Sequence, residues 1–232
     1  MAKNKPQIGD LKNGMVYRFT KGFVVAHAVH TISFLTLLLT GLAIYVPATS
    51  WIAVLFGGIQ SARIIHRVMA VFYAIVAPLI MIAKSDGQMK DWLKVAFTWK
   101  MEDILFMPKY IVTEFMGRHG DLPESDFINA GEKVNSLLTI FTLFGLTISG
   151  IIMWFPNVFP AWLVLVAYPL HDLSWMFMTC MLLVHMFLSL VHPKMRTALL
   201  GITKSWVPVE FAEGHYPKWY RRVTAGKKDV GA

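Results

Sequence analysis

Four long apolar blocks alternate with polar, mostly basic segments along the chain, at residues 23–46, 64–83, 134–155 and 170–191. Each reaches the roughly 20 residues that a helix needs to cross a hydrocarbon core of about 30 Å. Within lipid such runs must be helical, because an isolated strand would leave its backbone polar groups unpaired. The pattern predicts an all-α membrane protein: a four-transmembrane-helix bundle forming one integral-membrane domain over residues 1–232. A secretory leader has an apolar core of about 7–15 residues and a small-residue cleavage site. The first block is longer and ends in Tyr45-Val46-Pro47, so it is expected to persist as a span.

The polar segments carry weaker patterns. Between the second and third spans, residues 91–100 interleave aromatics with lysines, which predicts an amphipathic segment lying in the membrane interface. Residues 104–116 form another apolar stretch, too short to span. A loop with Gly57-Gly58 follows Pro47, and the loop at 157–168 carries no basic residue. From His192 onward the chain is polar, basic and aromatic, and is expected to lie against the membrane or a partner.

Composition strengthens the membrane reading: 56% of residues are hydrophobic and only 16% charged, against about 25% charged in an average soluble domain. The net charge of +8 could suggest nucleic acid, but its distribution argues otherwise. Twenty of the 22 lysines and arginines precede the first span, join the second to the third, or follow the fourth; Arg63 and Arg67 remain for the other side. The positive-inside rule then places both termini in the cytoplasm and makes the basic charge a topology signal. The only cysteine, Cys180, is expected to be a small buried side chain. One thiol builds no iron–sulfur cluster, and no C-x-x-C-H motif attaches a heme covalently. Any redox group must be held by other residues.

The histidines are the candidates. An ionisable residue inside a span is costly and usually functional, although a lone one often only packs. His27 lies near the start of the first span and His66 near the start of the second, at the opposite face. The fourth span begins with His171, and His185 follows fourteen residues later, about 21 Å deeper and within about 40° of the same direction. Depth and rotation sort these into two pairs, His66 with His171 and His27 with His185. His30 competes with His27 one turn on, and periodicity does not choose between them. His119 and His215 sit in polar segments and are expected to be solvated; His192 is expected to anchor at the interface. Two imidazoles meeting from facing helices provide the axial ligation of a low-spin heme iron, whereas zinc wants further N, S or O ligands. Gly41, Gly145 and Gly150 remove bulk within the spans, for helix packing or to admit a flat macrocycle. Arg63 and Arg67 flank His66, and Arg18 and Lys21 precede His27; each could meet a heme propionate, and for Arg18 and Lys21 the topology signal is an equal explanation.

These residues resemble the gamma subunit of respiratory formate dehydrogenases, a diheme cytochrome b, over nearly the whole chain. Arg18-Phe19-Thr20, His27 and Leu39-Thr40-Gly41 are similar to that family's first span, with Ala28 where an aromatic is usual. Arg63-Ile64-Ile65-His66, Leu170-His171-Asp172, Val184-His185-Met186 and His215-Tyr216-Pro217-Lys218-Trp219-Tyr220 resemble its later motifs. The resemblance implies two b hemes, with His27 rather than His30 as partner of His185. Asn129-Ala130-Gly131-Glu132-Lys133 resembles a segment that reads Asn-Ala-Gly-Gln-Lys in the family and helps form a quinone site. Asn129, Gly131, Glu132 and His185 would therefore adjoin the quinone, menaquinone or ubiquinone. Glu132 replaces the usual Gln and is expected to pair with Lys133; Asn129 also suits the N-cap of the third span.

The resemblance further implies partners: an iron–sulfur beta subunit with its own membrane anchor, and a catalytic alpha subunit with molybdenum or tungsten. Electrons would pass from the iron–sulfur partner through His66/His171 and His27/His185 to a quinone, within a bacterial cytoplasmic (inner) membrane. The alternatives are the cytochrome b of a membrane hydrogenase or a thiosulfate or polysulfide reductase, and a heme-free anchor or transporter.

Overall fold

The computed structural model describes residues 5–115 and 122–229. Lys3, Arg118, Met116 and His119 lie outside the described residues. Among the described residues, four helices are long and apolar enough to cross a membrane: Lys21–Tyr45, Ile59–Lys84, Ala130–Trp154 and Ala161–Val191. They are the first to fourth spans. The second and fourth begin well before the apolar blocks do. The first turn of the second span carries Gln60, Ser61 and Arg63, and the fourth runs through Pro169. Hydropathy alone marks where the lipid begins, not where hydrogen bonding begins. Two π-helical turns, Phe72–Val76 and Phe187–Val191, are built into these spans.

Contacts divide the chain into two compact units. The membrane unit comprises Val25–Lys84 and Leu138–Leu183 and holds parts of all four spans. Its core is made where Phe34, Tyr73 and Met178 meet Leu143 and Leu146. Ile32, Ile64, Leu79, Phe141, Leu165 and Leu183 face outward, while Ala26, Ser33, Thr40, Ala43, Ala62, Ser149, Ala167 and Ser174 are buried. This inverts a soluble protein. Lipid gives apolar side chains no reason to turn inward, so small residues take the seams where helices approach closely. The buried hydroxyls return their hydrogens to the preceding turn, as Thr142 does to the Leu138 carbonyl and Ser174 to that of Leu170. Cys180 faces outward, contrary to the expectation of burial.

The second unit comprises residues up to Val24, Ser85–Leu137 and Val184 onward. The amino-terminal segment forms a hairpin of β1 (Leu11–Lys12) and β2 (Met15–Tyr17), closed by Asn13 and Gly14 at φ of 51° and 70°. This is the Asn-Gly chemistry that a two-residue turn requires. β3 (Trp206–Pro208) adds antiparallel to β2 with Val16 opposite Val207. The carboxy-terminal tail therefore packs on the chain's own amino-terminal hairpin, a contact that its composition does not signal. Helices Val209–His215 and Pro217–Thr224 bring Phe211, Tyr216 and Trp219 into a core with Val16, Ala96 and Phe127. His215 is not simply solvated: it stacks on Phe211 with ring centroids 4.3 Å apart. The amphipathic connection is helical at Gln88–Phe97 and Met101–Phe115, as its pattern suggests.

Candidate cofactor site

Within the membrane unit one cavity of about 640 Å³ is lined by His66 from the second span and His171 from the fourth. Each has its Nδ1 against a buried hydroxyl: His66 Nδ1 is 2.8 Å from Thr40 Oγ1, and His171 Nδ1 is 2.9 Å from Ser149 Oγ. Nε2 is thereby the nitrogen left for a metal. Gly41 and Gly150 also line the cavity. A Cβ added at Gly41 would stand 3.5 Å from His66 Cε1, and one at Gly150 3.7 Å from His171 Cε1, so a larger side chain at either would crowd a ring.

The remaining walls are apolar and aromatic, with Phe34, Leu37, Tyr73, Leu146, Trp154 and Trp175 among them. Arg63 and Arg67 also line it, both exposed, with the Arg67 guanidinium 5.4 Å from the Trp154 ring centroid. Asp172 faces the same space and is held by the Tyr45 hydroxyl at 3.0 Å and the Trp175 indole at 3.3 Å. Two imidazoles facing an apolar volume, with two guanidiniums beside them, match a flat, largely apolar, iron-bearing ring with carboxylates on one edge. Depth and rotation point to His66 and His171, and the position of Arg63 and Arg67 beside His66 in the sequence points to those two. Thr40, Ser149 and Tyr73 carried no sequence signal for this role, because each is an ordinary residue in an apolar helix. Tyr73 enters from the π-helical turn, and its buried hydroxyl has no hydrogen-bond partner among the described residues.

The other candidates are distributed differently. His27 belongs to the membrane unit, with Nδ1 3.5 Å from Thr31 Oγ1, and His30 in the same unit lies against Tyr73, ring centroids 4.8 Å apart and planes tilted by 30°. His185 belongs to the second unit. In that unit Asn129 Oδ1 accepts the Glu132 N–H at 2.9 Å, and Glu132 Oε2 accepts the Asn129 N–H at 2.7 Å. This reciprocal capping box starts the third span and agrees with the N-cap expectation for Asn129. Glu132 Oε1 accepts the Tyr216 hydroxyl at 2.6 Å. The expected pairing of Glu132 with Lys133 does not form. One residue on, Lys133 points to another face of the helix and bonds Asp103 at 2.7 Å and the Thr98 carbonyl at 2.9 Å. Gly131 lies against the Asn129 side chain, which a Cβ would meet at 3.3 Å. Asn129 lines a second, smaller cavity of about 180 Å³ with Phe106, Tyr110, His192, Lys194 and His215.

Arg18 is not available for a propionate. It is buried among aromatic rings, 3.6 Å from the Tyr216 centroid, and donates to the Phe127 carbonyl at 2.8 Å.

Residues 18–204 match the family described as prokaryotic cytochrome b561. The chain belongs to that family. Membership makes it a four-span membrane cytochrome b and implies heme b, to which the His66–His171 cavity is suited in ligand type, shape and charge. Among curated proteins it is 24% identical to the formate dehydrogenase cytochrome b556 subunit of Haemophilus influenzae, over 88% of this chain and 81% of that protein. It is 25% identical to the cytochrome b556(fdo) subunit of formate dehydrogenase from Escherichia coli K12, over 90% of this chain and 93% of the relative. The nitrate-inducible cytochrome b556(Fdn) subunit of the same organism is 22% identical over 85% and 86%.

Proposed function

We propose that this chain is the membrane electron-transfer subunit of a formate dehydrogenase complex, carrying electrons through two b hemes to a quinone. The observation that carries the reading is the His66–His171 pair, with both Nδ1 atoms tied to buried hydroxyls and both rings facing one apolar cavity beside Arg63 and Arg67. Bound there, a heme b supplies a reversible one-electron couple. The residues do the rest: His66 and His171 supply Nε2 ligands, Arg63 and Arg67 neutralise the propionates, and the aromatic walls keep water from the ring. Exclusion of water matters because a low local dielectric strengthens the field of every fixed charge on the redox centre.

The second heme is assigned to His27 and His185. The resemblance favours His27 over His30 as that ligand. Asn129, Gly131, Glu132 and His185 form the quinone region. The smaller cavity at Asn129 falls below the roughly 300–1,000 Å³ of sites that enclose a drug-sized ligand, so it suits a quinone headgroup whose tail lies outside. The kinship with three formate dehydrogenase subunits supports formate as donor, through an iron–sulfur beta subunit with its own membrane anchor and a catalytic alpha subunit carrying molybdenum or tungsten. Both termini are assigned to the cytoplasm.

Purification of the complex through a tag on this chain tests the whole reading. Pyridine hemochrome quantification should give two b hemes per chain. Formate, and not hydrogen, should reduce them and then a quinone analogue. His66→Ala or His171→Ala should remove one heme and retain much of the other. Loss of both hemes from a folded protein, or of neither, contradicts the pairing; reduction by hydrogen instead of formate replaces the donor.

A further inference from the structure

We infer that Thr40 and Ser149 are matched positioning residues for the two imidazoles of the His66–His171 site, each holding its ring as the Nδ1–H tautomer with Nε2 toward the iron. The inference rests on the heme reading above and goes beyond it in saying what aims the ligands.

The number of available hydrogens fixes the tautomer. A hydroxyl has one hydrogen to donate. Thr40 Oγ1 lies 2.7 Å from the Thr36 carbonyl, and Ser149 Oγ lies 2.6 Å from the Gly145 carbonyl; a carbonyl can only accept. With that hydrogen committed, each hydroxyl oxygen can only accept from the ring nitrogen 2.8 or 2.9 Å away. The proton must therefore sit on Nδ1 of His66 and of His171. Nε2 is then unprotonated, the state in which imidazole binds a metal.

The device occurs twice, on helices unrelated in sequence. The first span serves the ligand of the second, and the third span serves the ligand of the fourth. In each, the hydroxyl residue is wholly buried and is followed by a glycine against the Cε1 edge of the same ring, Gly41 for His66 and Gly150 for His171. A hydroxyl present only to satisfy its own helix has no reason to meet an Nδ1 in both places, or to precede an open ring edge in both. The hydroxyl fixes the ring's rotation and the glycine leaves its edge clear. An acceptor on Nδ1–H also makes the imidazole a stronger donor to iron, which favours the oxidised metal and lowers its potential.

The test uses the intact complex, with redox titration of the heme absorption bands and electron paramagnetic resonance of the low-spin signals. Thr40→Val and Ser149→Ala should each raise the midpoint potential of one heme, the same heme that His66→Ala removes, and alter its g-values. The other heme should stay at its wild-type potential, and the double variant should shift further than either single one. Thr40→Ser keeps the hydroxyl and should keep the wild-type potential, so heme loss in Thr40→Val but not in Thr40→Ser also supports the role. Thr36→Ala, which removes an exposed hydroxyl bonded only to its own helix, should change nothing. Unchanged potentials and g-values with heme retained in both Thr40→Val and Ser149→Ala would overturn the inference alone. A wild-type complex without a His66-dependent heme would overturn the underlying reading, and the inference with it.

Discussion

Tyr216 is 1% exposed, carries the Arg18 guanidinium 3.6 Å from its ring centroid, and donates its hydroxyl to Glu132 at 2.6 Å. Burial, then the Glu132 carboxylate, holds its phenol well above the ordinary value near 10, with Arg18 acting in the opposite direction. A group whose pKa is higher in the folded state contributes stability in full below its unfolded pKa and loses it as pH rises beyond. The second unit should therefore weaken above about pH 10, as unfolding releases a proton that folding retains. Tyr216→Phe should cost about 1 kcal/mol for the lost hydrogen bond and flatten that alkaline decline; thermal unfolding followed by tryptophan fluorescence across this pH range measures both. None of this was legible in the sequence. Arg18 read as a topology charge or a propionate partner, and Tyr216 as part of a tail motif. Their meeting depends on the pairing of chain segments from opposite ends.

Between helices, the third and fourth spans approach so closely at Gly145 that an added Cβ would overlap Ser174 Oγ and stand 3.3 Å from Ser174 Cβ. Ser174 cannot simply rotate away without giving up its bond to the Leu170 carbonyl at 2.7 Å. Gly145→Ala should therefore destabilise the membrane unit by about 1–3 kcal/mol, the usual scale of overpacking. Gly145→Ala combined with Ser174→Ala should recover part of the loss, because the clashing atom is gone. Unfolding in detergent, followed by circular dichroism for both single variants and the double, measures the coupling; strict additivity would mean that the seam is not where the strain lies. A glycine inside a span was visible in the sequence as a sign of packing or of room for a ring. Here it serves a helix seam, whereas Gly41 and Gly150 adjoin the imidazoles, and hydropathy does not distinguish these roles. Span existence was readable because hydropathy sums over neighbouring residues. The early start at Ile59 was not, because that first turn is polar, and the start at Ala161 was not, because Pro169 interrupts the apolar run and reads as a boundary.

For the molecule as a whole, twenty of 22 basic residues fall in the three segments assigned to the cytoplasm. Fusions test this directly. Green fluorescent protein joined after residue 232 should fluoresce, and alkaline phosphatase inserted at residues 157–160, between the third and fourth spans, should be active; the opposite pattern would invert the topology and exchange the levels of the two heme sites. The sequence by itself determined the four membrane crossings, since residue hydropathy is local; the fixed rise and rotation of a helix then proposed His66 and His171 as a pair, and both line one cavity. Tertiary structure alone decided what meets the second nitrogen of each imidazole, what Arg18, Glu132 and Lys133 bind, and how the carboxy-terminal tail joins β2. Those partners come from other helices or distant segments, and no local periodicity records which of many buried hydroxyls or exposed charges will arrive beside them.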